Sequence, residues 1–193
     1  MAHRARWLRT DEYADTEASL RKVAELAPCV EGDPTEWKWL LIAVHSATQG
    51  MFVLSLSRSN GLLTLKSSHA VAWLKAYETG GKWPEKMDLD YFLELYKKAK
   101  KHISNAEDIT TDHDDAMRRL NDLRNGFIHF GPQGWSIELA GLPTICRRAF
   151  EVVDALGWNS DFVYWRTQAQ SERARRSIRI ALREFARLEN VLA

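Results

Sequence analysis

Arginine, asparagine and histidine crowd into one short stretch, "LRNGFIHFGP", residues Leu123 to Pro132. A guanidinium is a permanent, forked cation suited to phosphate, and an imidazole titrates near neutrality, where acid–base chemistry is needed. Packing requires neither. On a regular helix Arg124 and His129 are about 140° apart, so they do not share a stripe. Asn125 and His129, four apart, do share one, and Asn125 could hold an imidazole nitrogen and fix its tautomer. Gly126 weakens a helix and gives room for close approach. Two copies of this helix, paired across a two-fold axis, would bring two such sets into one cleft.

Other residues carry chemistry more weakly. His45 and Gln49, four apart in an apolar run, must find partners if buried, or else line the cleft with His129. Arg175, Arg179, Arg183 and Arg187 recur every fourth residue in "SERARRSIRIALREFARLE", with Arg173 and Arg176 beside them. The stripe could bind a phosphate backbone, be compensated by acids such as Glu172 and Glu184, or simply be hydrated. "TTDHDDAM" gathers acids and a histidine, but first-turn acids are ordinary helix caps and dipole complements. Of eight tryptophans, Trp37, Trp39 and Trp73 fit helical core positions. Trp135, Trp158 and Trp165 fall near helix ends, to pack loops or stack on bases.

The elements that must position these residues read as helices throughout. Asp11 to Ala27 has helical apolar spacing and stops before Pro28. A long helix covers about Thr35 to Ser57 after Asp33 and Pro34. "SSHAVAWLKAYETGG" is a shorter one with a glycine stop. Asp88 caps "LDYFLELYKKAKKHI". Thr111 with Asp114 resembles a capping box for a helix from Asp112 to Phe130. On its wheel Ala116, Leu120, Leu123, Phe127 and Phe130 form the core side, while Met117 and Ile128 fall among the polar residues. "WSIEL" reads as a short extended piece, and helices cover Pro143 to Leu156 and Asp161 to Leu192. "SRSNGLL", "SNAEDIT" and "FGPQGW" are breaks.

The expected architecture is an all-α helical bundle in a single domain over residues 1–193. Residues 1–33 form an extension with an extra helix before a bundle over 34–193. A net charge of +1 and 45% hydrophobic residues fit an ordinary globular chain and leave any basic surface to local clustering. Two distant cysteines follow no metal spacing. The N-terminus has no apolar signal region, and the run from Trp39 carries His45, Ser46, Thr48 and Gln49 at its middle. The expectation is a cytoplasmic protein without a membrane span.

In this setting the chain resembles the HEPN family, the "higher eukaryotes and prokaryotes nucleotide-binding" domains. These are helical bundles whose signature is an arginine, usually a polar residue after it, and a histidine four to six residues beyond. "RNGFIH" matches as Arg124, Asn125 and His129. "AWLKAYETG", "YFLELYKKAK" and the stretch through "WSIELAGLP" look like an uncharacterised bacterial branch. The resemblance implies a metal- and cofactor-independent endoribonuclease of a toxin or defence system. It would act on RNA as a homodimer, with a neutralising antitoxin as a further partner. His129 would serve as general base or acid, Arg124 would hold the scissile phosphate, and Asn125 would orient His129 or the phosphate. Some toxins of the family carry a modifiable tyrosine two residues after the histidine; here Gly131 stands there. The resemblance equally covers modules that have lost catalysis and only bind nucleotide, RNA or a partner protein.

Overall fold

A computed structural model describes residues 7–58, 60–104, 109–132 and 134–193. Over these residues it is an all-α helical bundle of seven α-helices: α1 Glu12–Leu26, α2 Glu36–Leu56, α3 Ser67–Thr79, α4 Phe92–Ala99, α5 Thr111–Ile128, α6 Leu142–Trp158 and α7 Gln168–Val191. Among the described residues three short 3-10 turns, Ala27–Cys29, Leu62–Thr64 and Lys100–His102, link them. Among the described residues there is no β-strand. "WSIEL" is irregular coil, and the one bridge joins Leu65 to Leu89.

Local chemistry sets the helix ends. The Asp11 carboxylate accepts from the N–H groups of Tyr13 and Ala14 and starts α1. Gly80, at φ +63°, ends α3 in a left-handed cap. Three expected boundaries move. Asp88 does not cap α4, because its backbone is spent on Lys66 and on His69 Nδ1 at the neck of the α3 excursion. α4 begins at Phe92 instead. The capping box of α5 is Thr110 with His113, one residue before the expected pair, and the imidazole rather than a carboxylate takes the returning N–H. α7 begins at Gln168, where the Thr167 hydroxyl accepts from the Gln170 N–H, so residues 161–167 are turns. The break expected over 104–110 lies partly outside the described residues, as do positions 1–6, 59 and 133.

α2 is the spine. Successive helical residues point about 100° apart, so three in a row can face three neighbours. Gly50 faces Thr16 of α1, the Met51 side chain reaches Gly157 of α6, and Phe52 packs on Phe92 and Tyr96 of α4. α5 closes the fourth side and leans on α6, which carries α7 in turn. α1 joins the same core through Leu20, Val23 and Leu26. By length and composition α2 could cross a membrane, but most of its apolar window is buried in the bundle.

Three side-chain expectations are corrected. Met117 is fully buried with Ala116 and Leu120, whereas Phe130 lies past the end of α5 and is 59% exposed. Trp37 is buried, but Trp39 projects outward at 54% exposure. α3 buries only Ala76 and stands to one side, its Trp73 packed on Tyr77 and Trp83.

The α1–α2 crossing is close enough that a Cβ at Gly50 would collide with the Thr16 hydroxyl. Gly50→Ala gains helix propensity of up to about 1 kcal/mol, but overpacking costs about 1–3 kcal/mol. Denaturant unfolding is expected to show a net loss in this variant, partly restored by Thr16→Ala in the same chain.

Candidate functional site

α5 and α2 bring Arg124, Asn121 and Asn125 opposite His45 and Gln49. Two adjoining cavities of about 510 and 300 Å³ share His45, Gln49, Leu89 and Arg124 in their walls. Residues 89–94 and Asn121 complete the larger, and Glu12, Asp15 and Thr16 of α1 complete the smaller. The structure thus joins Arg124 and Asn125 with His45 and Gln49. His129 lines neither cavity. It is exposed one turn further on, where its N–H donates to the Asn125 carbonyl at 2.9 Å and ends the helix.

Arg124 is half-buried and, among the described residues, has no carboxylate within ion-pair distance. Its Nη1 donates to the Asn125 side-chain oxygen at 2.9 Å. This corrects the expected role of Asn125. Its amide oxygen accepts from the guanidinium, and its backbone carbonyl accepts from the His129 N–H. The wall around Arg124 is mixed. Asp90 and Glu94 are bonded by Lys98 and Lys97, and Glu12 and Asp15 lie on the α1 side.

His45 is only 3% exposed, stacks on Phe92 at 4.1 Å between ring centroids, and leaves Nε2 without a hydrogen-bond partner. Burial, reinforced by the nearby Arg124 charge and partly offset by Asn121, pushes its pKa down to about 4. The ring is therefore neutral at pH 7. Asn121 is the lining residue that sequence reasoning did not attach to His45. Its signal was its place four residues before Asn125, on the same face of α5.

Gly126 serves a different neighbour from the one expected. A Cβ there would lie 2.7 Å from the end of the Trp135 ring. The indole covers α5 at this point and packs on Phe127 and Phe130. The glycine therefore docks the segment that follows His129; it does not make room for a ligand.

The acidic stretch at the start of α5 is used internally. His113 accepts the Thr110 N–H at Nδ1, so its Nε2 donates to Glu151 of α6 at 3.0 Å. Arg147 and Arg148 grip the same carboxylate, and Arg147 also binds Glu189 of α7. Asp114 binds Lys100 and the Tyr96 hydroxyl. No group of three potential metal ligands occurs among the described residues.

The arginine stripe of α7 divides. Arg187 is held by Glu31 and Glu184, and Arg173 by Glu17. Arg175, Arg176, Arg179 and Arg183 line a separate outward groove with Ile180 and Leu182. None of its lining residues also lines the Arg124 cavities. Leu182 is half-buried against the core and edges this groove. No protein-family model, curated protein or solved structure matches the chain.

Two expectations follow from this geometry. The unfolded chain protonates His45 near its ordinary pKa of about 6.5, while the folded chain resists until about 4. Stability should therefore fall as pH drops through that window, by about 1–2 kcal/mol from pH 7 to 5 for this group. His45→Phe, which keeps the stack on Phe92, should lose that much less; His102, also lowered by burial, contributes equally to both proteins. Separately, Gly126→Ala should destabilise the wild-type chain, yet stabilise a Trp135→Ala chain by up to about 1 kcal/mol, once only helix propensity remains. A double-mutant cycle of unfolding free energies reads this sign change.

Proposed function

We propose that the chain is a metal-independent endoribonuclease of the HEPN type, working as a homodimer in a bacterial toxin or defence system. The observation that carries this reading is Arg124. It is a guanidinium without a carboxylate partner among the described residues, braced by Asn125 at an open cavity, with an exposed imidazole one turn away. Exposed Ile128 and Phe130 beside His129, and Tyr91 at the cavity rim, supply apolar surface for a second copy. Pairing the ends of two α5 helices is what would set imidazole and guanidinium around one phosphodiester, since a single chain directs them apart.

RNA supplies its own nucleophile. His129 takes the proton of a ribose 2′-hydroxyl as its oxygen forms a bond to the adjacent phosphorus. The bond from phosphorus to the 5′-oxygen breaks, and that oxygen takes up a proton. The products are a 2′,3′-cyclic phosphate and a 5′-hydroxyl. Arg124 binds the phosphate and stabilises the charge that builds on it, and Asn125 keeps the guanidinium in place.

The absence of His129 from the cavity walls favours one rival, a module in which Arg124 grips nucleotide, RNA or a partner protein without catalysis. The two separate on cleavage of a mixed RNA pool in EDTA. His129→Ala and Arg124→Ala should each lower the rate at least about 100-fold, the scale of a lost acid–base group, with cyclic phosphate ends on the wild-type products. No cleavage by folded wild type, or equal rates in all three proteins, would give the binding module instead.

A further inference from the structure

The outward face of α7 has no role in the cavity chemistry. On the helical wheel Arg175, Arg176, Arg179 and Arg183 fall within about 100°, roughly opposite the buried Ala174, Ile178, Ala181 and Phe185. They make no ion pair within reach of a carboxylate among the described residues. The arginines that flank them, Arg173 and Arg187, are both neutralised by glutamates. In a chain of net charge +1, four unpaired guanidinium groups on one face are a strong local excess.

The surroundings cancel only part of that excess. Glu172, the one acid in the groove wall, accepts a hydrogen bond from Gln168. Asp154 of α6 faces Arg175 and Arg179, whose charges favour its ionised form while burial raises its pKa, and it offsets part of the excess. Like charges four apart repel along a helix, so the arrangement costs stability that a bound polyanion would return. Arg175, Arg179 and Arg183 advance by about 6 Å per step, a spacing suited to successive phosphates of an extended strand. Arg175 lies 5.7 Å over the Trp158 ring, and Ile180 and Leu182 edge the groove with apolar surface for sugars or bases.

We propose that this face of α7 is a second RNA-binding surface, separate from the Arg124 cavity, which holds the backbone of a single strand. It rests on the reading of RNA as the ligand but not on cleavage. The test measures binding of a labelled mixed-sequence single-stranded RNA to the full chain carrying His129→Ala, across a range of salt. Replacing all four arginines with glutamine should weaken binding at least ten-fold. It should also flatten the logarithmic salt dependence by about 2–3, at about 0.7 for each lost phosphate contact. Replacing all four with lysine should keep most of the slope. Equal affinity and slope in the glutamine variant, with an unchanged unfolding midpoint, would overturn the proposal. So would tighter binding of poly-glutamate than of RNA, which would make the face a site for acidic protein. Binding without cleavage by the wild-type histidine removes the ribonuclease and leaves this surface. Cleavage with unaltered binding in the glutamine variant does the reverse.

Discussion

The bundle depends on α2 packing against four helices at once, α1, α4, α5 and α6. Gly50, Met51 and Phe52 touch three different helices in succession, and this works only because the first has no side chain. Without that glycine α1 could not approach, and the Glu12 to Thr16 wall of the smaller cavity would move with it. The buried faces of such a helix have little place for polar groups. Thr48 and Ser55 resolve this by bonding carbonyls of their own helix. His45 does not, and its unpartnered Nε2 is the clearest cost the core carries.

That cost lies where the cavity is. His45 sits between the stack on Phe92 and the field of Arg124, and both its surroundings keep it neutral. Arg124 in turn is held by an amide and not a carboxylate, so its charge remains available to a ligand. The contrast with Glu151, Arg147 and Glu189 is instructive. There, charges are matched across α6 and α7, with His113 of α5 tied to the same carboxylate, and the network does structural work. The chain satisfies its charges where helices must be tied together, and leaves them open at the Arg124 cavity and along the outer face of α7.

Trp135 links local packing to the site. The indole lies on Gly126, one turn before His129, and covers the end of α5. The helix thus stops with the imidazole outside and the guanidinium inside. In one chain Arg124 of the "RNGFIH" stretch lines the cavity while His129 lies exposed outside it.

The helices themselves were legible in the sequence. Apolar spacing, Asp11, Pro34 and Gly80 mark starts and stops, because these act within a turn of the chain. The buried character of α2 was legible from its long apolar run, whose middle carries polar residues costly in lipid. Arg124 and Asn125 were legible as residues that packing does not need. What required the tertiary structure were the partners. Asn125 turns to Arg124, Gly126 makes room for Trp135, and His113 displaces Asp114 as the capping residue because Glu151 of another helix waits at its far nitrogen. Helical periodicity assigns a residue to a face within one element. It cannot say which neighbour covers that face, and burial, charge pairing and the depressed pKa of His45 all follow from that neighbour.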